Sequence, residues 1–276
     1  MRPLRLPFLL FCVLFAGCGG WGSGKAWVNQ PMNEDENGSS NAPPSSNPDP
    51  RRAPPRNART IGEHGESDPQ HRVTDPTGGG GRALGTFRNT YYDFPHESDP
   101  RYANTDAVSL MSASCQPIAK VPRGFHDAVC VQGSGALARG GTVSFAKRDC
   151  ACAEVCPRTS QKICFDALDP HAFPFGRGAS GKAILPLRSV AADTSVLAMG
   201  TVIYVPELDG APKNASGDPH DGCFVVEDRG LRVKGEHVDI FSGHPSQTAM
   251  LERYVPSNQG VTVVVNAPKC ASLATR

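Results

Sequence analysis

The feature that most constrains this fold is a run of short strand-like segments between Leu185 and Gly243, in which acidic residues occupy strand positions. Apolar and polar residues alternate in these segments, as they do in half-buried β-strands. Three aspartates stand out, Asp193, Asp228 and Asp239, because each adjoins β-branched, aromatic or small apolar residues. A carboxylate among such neighbours is costly unless it faces water or a partner. The pattern therefore predicts a groove lined by carboxylates.

Strand alternation predicts which side chains of the last two segments face the core. Val238 and Ile240 are predicted to face the core, and Asp239 to face the other way. In the preceding strand, Asp228 is predicted to share a face with Phe224. The connection between the two strands contains glycines that can take positive φ and return the chain. We therefore expect Asp228 and Asp239 to meet across a cleft.

The charge balance of the chain excludes one class of partner. The 276 residues carry a net charge of +1, and such a near-neutral balance gives no electrostatic case for binding nucleic acid. The chain is 39% hydrophobic and has 29 glycines and 25 prolines, many of them in its first third. This distribution predicts one globular domain behind an unstructured leader.

Residues 1–17 have the pattern of a secretory signal peptide, with early arginines and then an apolar run too short to span a bilayer. The run ends in small residues followed by Cys18, which resembles a bacterial lipobox. We therefore predict lipidation of Cys18, which would anchor the chain to a membrane without a spanning helix. The alternative is ordinary cleavage of the signal without lipidation.

Residues 18–81 are predicted to be a disordered linker between that anchor and the domain. Asn, Ser, Pro, Asp and Arg dominate this segment, and it ends in four consecutive glycines. Too little apolar surface is available here to offset the loss of chain entropy on folding. The folded domain is accordingly predicted to occupy residues 82–276.

The cysteines indicate an oxidising compartment. Of ten cysteines, Cys12 leaves with the signal peptide and Cys18 is the candidate lipid site, so eight remain. An even set in an exported chain predicts disulfides, although their connectivity cannot be read from sequence. The alternative is zinc, but the cluster from Cys150 to Cys156 lacks the paired C-x-x-C spacing of most structural zinc sites. We predict disulfides and no bound metal.

The domain is predicted to begin with a strand at Gly85–Phe94, followed by an insertion of about residues 96–175. Six of the eight remaining cysteines lie in this insertion, where no helical period is sustained. Short runs such as 128–131 and 141–145 are predicted to be strands. Further short strands follow, with one brief helix at 247–254 and a last strand at 260–266. This order is typical of a small β-barrel.

An ordered set of motifs in this region resembles the three-aspartate (3D) domain, named for its three acids. The same set is similar to the barrel domain of the membrane-bound lytic transglycosylase A family. The segment Thr90-Tyr91-Tyr92 also looks like the opening strand of that family. The matching elements are Val190–Asp193, Gly200–Pro206, Glu227–Gly230, Lys234–Gly235 and Val238–Phe241.

The resemblance implies a mainly β fold, a six-stranded double-psi β-barrel here interrupted by the cysteine-rich insertion. It also implies cleavage of the β-1,4 bond between N-acetylmuramic acid and N-acetylglucosamine in peptidoglycan glycan strands, with a 1,6-anhydromuramoyl product and no cofactor. Asp239 takes the place of the principal catalytic acid, with Asp228 and Asp193 in support. The residues predicted to bind substrate are Thr90, Tyr91, Arg229, Gly230 and Lys234.

One acid is sufficient for this chemistry if the sugar's own C6 hydroxyl is the nucleophile, since that attack is intramolecular. The acid protonates the leaving oxygen and then accepts the hydroxyl proton as a carboxylate. Its pKa must be raised, which a neighbouring carboxylate and partial burial both achieve. Asp228 and Phe241 are predicted to supply these effects for Asp239. Arg229 would oppose them if it pointed inward, so we predict that it points toward substrate or solvent.

Milder interpretations stay open. Asp193 could simply cap its own turn, Lys234 could be a solvated turn residue, and His237 is expected to be a surface or supporting residue rather than a general base. The whole chain could instead be a non-catalytic wall-binding lipoprotein, or a secreted glycoside hydrolase. In each case we expect an exported bacterial protein, at the periplasm or cell surface, and an outer-membrane lipoprotein in the leading interpretation.

Overall fold

The computed structural model describes residues 76–274, so the predicted signal peptide, most of the linker and Cys18 lie outside the described residues. No helix within that range has the length and apolar character needed to cross a membrane. In chain order the strands and α-helices are β1 (Arg82–Asp93), β2 (Ala107–Met111), β3 (Pro117–Pro122), α1 (Arg123–Gln132), β4 (Ser134–Ala136), β5 (Thr142–Lys147), β6 (Val155–Cys156), β7 (Gln161–Lys162), β8 (Cys164–Leu168), β9 (Ser189–Ala192), β10 (Val202–Pro212), β11 (Pro219–Asp228), β12 (His237–Gly243), α2 (Pro245–Tyr254) and β13 (Val261–Val265).

Six of these strands close into a barrel in the order β1-β12-β9-β11-β10-β13, which confirms the predicted barrel fold. Two neighbouring pairs, β1 with β12 and β9 with β11, are parallel, and the other four are antiparallel. Helix α2, predicted from the sequence, follows β12 and packs Leu251 into the barrel core. Closure leaves the barrel with no free sheet edge, so each of its six strands has two hydrogen-bonded neighbours.

The two sides of the barrel wall differ in the way that the alternation predicts for β12. Val238 and Ile240 are fully buried in the interior core. Phe241 lies on the other side, in a smaller apolar cluster with Tyr92 and Ala191 outside the barrel. Asp239 shares that outer side with Phe241, because the two residues are two positions apart in the strand.

The prediction that Asp228 shares a face with Phe224 is wrong, because a β-bulge interrupts β11. Val226 pairs with Val190 of β9, but the next paired residue is Asp228, which lies opposite Ala191. The extra residue, Glu227, shifts the alternation by one. Asp228 therefore stands on the outer side of the wall, whereas Phe224 remains in the core.

The cysteine-rich insertion, β2 to β8 with α1, has its own apolar core. Three disulfides cross-link it, Cys115–Cys152, Cys130–Cys156 and Cys150–Cys164, and a fourth, Cys223–Cys270, ties β11 to the C-terminal 3-10 helix. The preference for disulfides over zinc is confirmed.

The strand predicted at 128–131 is wrong, since these residues form the second half of helix α1. Phe125, Val129 and Cys130 lie on the buried side of that helix. A short apolar run does not distinguish a buried helix from a strand, which explains the error. The run at 141–145 is confirmed as part of β5.

The folded part also begins before residue 82. Residues 76–80 form a turn, and the Gly81 amide donates to the Thr77 carbonyl. A Cβ at Gly78 would lie 3.0 Å from the Tyr204 ring, so the absence of a side chain lets the turn lie against β10. The glycines that suggested a linker thus serve here for close packing.

Candidate active site

The centre of the candidate site is Ala191 in β9, whose two neighbouring strands each place an aspartate beside it. Asp239 of β12 pairs with Ala191 from one side, and Asp228 of β11 pairs with it from the other. The two acids are therefore two strand spacings apart, roughly 9–10 Å between main chains. Both side chains are partly buried and face the outer side of the barrel wall. The two acids thus share one side of the wall, with β9 between them, and their meeting across a cleft stays a prediction.

Asp239 is held by the neighbouring strand β1. Its Oδ1 accepts a hydrogen bond of 2.7 Å from the hydroxyl of Thr90, which is also its partner in the β1/β12 register. Burial, and next the negative charge of Asp228, raise the pKa of Asp239 to about 6, against the opposing effects of Thr90 and Arg88. A group with this pKa exchanges its proton near neutral pH, which suits a general acid.

Asp228 is surrounded by hydrogen-bond donors. The Ala179 amide donates to its Oδ1 at 3.0 Å, and the Tyr92 hydroxyl lies 3.3 Å from its Oδ2. Burial raises the pKa of Asp228, while these donors and Arg229 lower it. A Cβ at Gly178 would lie 2.4 Å from the Glu227 main-chain oxygen, so this glycine allows the 178–180 loop to approach β11. The loop thereby delivers the Ala179 amide to the acid.

An aromatic cluster lies next to the two acids. The ring centroids of Tyr92 and Phe241 are 4.9 Å apart, and Phe175 lies 6.1 Å from Phe241 and 5.6 Å from Phe94. These apolar rings exclude water from one side of the carboxyl groups, which is consistent with the burial that raises both pKa values.

Asp193 directly follows β9, and both of its carboxylate oxygens accept hydrogen bonds. Its Oδ1 accepts from the amide and hydroxyl of Ser195, and its Oδ2 accepts from the Gly235 amide at 2.9 Å. These bonds, that from Gly235 first, lower the pKa of Asp193 to about 2. The structure therefore gives Asp193 the contacts of a turn cap, and through Gly235 they hold the loop between β11 and β12.

The residues predicted to bind substrate fall into two groups. Arg229 and Lys234 are exposed in the β11–β12 loop, so Arg229 points outward as predicted, and Gly230 lies between them, partly exposed. Thr90 faces the acids but is hydrogen-bonded to Asp239. Tyr91 points to the other side of β1, where it packs against the barrel core and donates to the Val255 carbonyl.

Three contacts of the site were missed from the sequence. His237, expected at the surface or in support, is buried with 5% of its area exposed, and its Nε2 lies 2.8 Å from the Thr90 hydroxyl. The Tyr92 hydroxyl and the Ala179 amide reach Asp228. Alternation alone could have placed His237 and Tyr92 on the face of Asp239 and Thr90, but nothing in the sequence marks Ala179.

The described residues contain two close groups of three candidate metal ligands, both in the insertion: Cys115, Cys150 and Cys152, and His126, Cys130 and Cys156. Every cysteine in these groups is in a disulfide. A disulfide sulfur is not the thiolate that binds zinc, so these groups do not fit a metal.

Fold and site together define a closed β-barrel protein with a pair of partly buried carboxyl groups on its outer wall. Residues 188–252 match the family model described as the 3D domain. A curated relative, membrane-bound lytic murein transglycosylase A of Vibrio cholerae, is 40% identical over 76 residues. The match covers 27% of this chain, and the chain spans only about a fifth (20%) of that relative's length.

Among solved structures, this chain is similar to E. coli MltA with bound chitohexaose, at 18% identity and a TM-score of 0.44, covering 66% of this chain and 71% of that one. A membrane-bound lytic murein transglycosylase from Agrobacterium tumefaciens is 12% identical, also with a TM-score of 0.44, covering 65% and 73%.

Proposed function

We propose that this chain is an exported peptidoglycan lytic transglycosylase. It would cleave the β-1,4 bond between N-acetylmuramic acid and N-acetylglucosamine and leave a 1,6-anhydromuramoyl end. The observation that carries the proposal is Asp239, a partly buried acid with a pKa of about 6, on the wall of a 3D-domain barrel. The name of the Vibrio cholerae relative agrees with this activity.

In the proposed reaction, protonated Asp239 gives its proton to the glycosidic oxygen as the bond to C1 of N-acetylmuramic acid breaks. The C6 hydroxyl oxygen of the same sugar then bonds to C1, and its proton passes to the Asp239 carboxylate. The acid is thereby restored, and no water or second nucleophile is consumed. Because the attack is within one sugar, little entropy is lost in bringing the atoms together.

Asp228 has an electrostatic role in this proposal. Its charge raises the pKa of Asp239, and its own charge is balanced by the donors Tyr92 and Ala179. Asp193 takes no part in proton transfer, because its pKa of about 2 keeps it ionised. Its role is to hold the β11–β12 loop through Gly235.

The exposed loop residues Arg229 and Lys234 are proposed to contact the sugar or the peptide carboxylates of the wall. A guanidinium or ammonium group on a mobile side chain suits such anions. Between them, a Cβ at Gly230 would lie 2.6 Å from Cγ2 of Val233, so this glycine lets the loop pack closely against that residue. Cys18 is proposed to carry lipid and the linker to give reach, which would place the enzyme on an outer membrane facing the wall.

The test is digestion of purified peptidoglycan followed by mass spectrometry of the released fragments. The wild-type protein is expected to release 1,6-anhydromuropeptides, and Asp239→Asn to lower their rate of release by about 10²- to 10⁴-fold, the usual contribution of a general acid. Asp218→Asn, which changes an exposed carboxyl in the β10–β11 turn, is the matched control and should retain activity.

Each other product pattern decides against the proposal. Reducing ends in place of anhydro ends would identify a hydrolase. Sedimentation with sacculi but no released product would identify a wall-binding protein. Wild-type product release by Asp239→Asn would remove this acid from the mechanism.

A further inference from the structure

One buried titratable group next to the acid is not used by the proposed reaction. His237 begins β12, two residues before Asp239 and on the same side of the wall. Its Nε2 lies 2.8 Å from the Thr90 hydroxyl oxygen, and Oδ1 of Asp239 lies 2.7 Å from the same oxygen. One hydroxyl therefore stands between an imidazole nitrogen and the carboxyl group.

A threonine hydroxyl has a single proton, so it can donate to only one of these two neighbours at a time. A neutral imidazole has one donor and one acceptor nitrogen. In the tautomer that carries its proton on Nδ1, the ring presents Nε2 to the Thr90 hydroxyl as an acceptor.

We propose that His237 is a positioning residue that turns the Thr90 hydroxyl away from Asp239 and thereby favours the protonated acid. This inference rests on the proposed function, in which Asp239 is the acid. When Asp239 is ionised, Thr90 donates to its Oδ1, as in the geometry described above. When Asp239 is protonated, Thr90 donates to His237 instead, and the acid donates its own proton to the Thr90 oxygen. A protonated carboxyl is the form that general-acid catalysis requires.

The same hydroxyl also serves the second half of the reaction. Once Asp239 has given its proton to the leaving oxygen, the Thr90 hydroxyl rotates and donates to the new carboxylate, leaving His237. It turns back when the carboxylate takes the proton of the C6 hydroxyl. Thr90 keeps its proton throughout, so no proton is gained or lost by the His237–Thr90 pair.

The charged surroundings are compatible with a neutral ring. Burial, and next the nearby positive charge of Arg88 on β1, lower the pKa of His237. Arg88 also faces Asp239, as do Asp228 from β11 and Tyr92 from β1, while β9 supplies no titratable side chain. Arg88 itself is exposed and bound to Asn258, which limits its pull on the carboxyl group.

The test measures the pKa of Asp239 directly, by NMR titration of aspartate side-chain carbons in the free protein. His237→Leu removes the acceptor, frees Thr90 to donate to the carboxylate, and should lower this pKa by about one unit, the size of a hydrogen-bond effect. His237→Gln retains an acceptor oxygen and should restore most of the wild-type value. Thr90→Val removes the donor to the carboxylate and should raise the pKa.

Activity should be lost as pH rises through the pKa of Asp239, because the acid must be protonated. The basic limb of the pH–rate profile should therefore move with the Asp239 pKa measured in each variant. An unchanged or raised Asp239 pKa in His237→Leu overturns the inference, and so does an equal shift in His237→Leu and His237→Gln. If His237→Leu does not fold, His237→Asn, whose shorter side chain does not reach Thr90, must show the lowered pKa in its place. Opposite pKa shifts without any released anhydromuropeptide would support the inference and reject the proposed function.

Discussion

The barrel and the cysteine-rich insertion reach a folded state by different means. All six barrel strands contribute to one apolar interior, including Phe87, Val190, Ile203, Phe224, Val238 and Val261. The insertion has strands of two to six residues, a smaller core and three disulfides. A small core supplies little stabilisation, so cross-links are needed there. The barrel, by contrast, has a larger core and carries two partly buried acids on its outer wall.

The largest expected effect comes from removing a cross-link of the insertion. The double variant Cys130→Ala, Cys156→Ala opens a bond between residues 26 apart, and the loop-closure entropy of such a bond is worth about 3–4 kcal/mol. Because Cys130 lies in α1, we expect this helix to lose protection in amide hydrogen exchange. Strands β9, β11 and β12 should keep theirs.

The matched control is Cys223→Ala, Cys270→Ala, which opens the disulfide of the barrel. Its closed segment is longer, with a separation of 47, yet β11 remains paired with β9 and β10. We expect protection to fall only near the C-terminal 3-10 helix. Equal loss throughout the barrel and the insertion would remove the distinction between the two regions.

The next effect concerns the acid on the barrel wall. Burial raises the pKa of Asp239 from 3.8 to about 6, so folding favours its protonated form. The stability this gives is complete below the unfolded pKa and is lost as pH rises through about 6. Asp239→Asn stays neutral, so it should be more stable than wild type at pH 7 by about 1–3 kcal/mol.

Urea unfolding at pH 7 and pH 4 measures this difference. The gain should disappear toward pH 4, where the wild-type acid is itself protonated. Asp106→Asn, at an exposed position in the insertion, is the control and should change stability by less than about 0.5 kcal/mol at either pH. A lower free energy of unfolding for Asp239→Asn at pH 7 would contradict the prediction. It would mean that the folded protein stabilises the ionised carboxyl group of Asp239.

The smallest effect is expected at the third aspartate. Asp193→Ala removes three hydrogen bonds from an exposed turn and releases the Gly235 amide. Amide exchange at Gly235 should become faster, and product release should fall by much less than in Asp239→Asn. A loss as large as that of Asp239→Asn would place Asp193 in the chemistry itself.

The sequence predicted the barrel, the disulfides and the faces of β12, because these follow from alternation and composition. It did not predict the face of Asp228, since a bulge is set by pairing with β9 and leaves no composition signal. Helix α1 was missed because its apolar run is short. The 178–180 loop was missed because the contact of Ala179 with Asp228 spans 49 residues and depends on Gly178.

The extra residue in β11 decides which side of the barrel wall Asp228 faces, and therefore whether the two acids share one surface. If β11 ran through Glu227 without the bulge, regular alternation would turn Asp228 into the apolar interior, where a charge is not tolerated. A homologous barrel that kept Glu227 but lacked the bulge would therefore retain all three aspartates in its sequence and lose the pair of acids on its outer wall. The pairing of this strand with β9 is thus as decisive for the site as the identity of its residues.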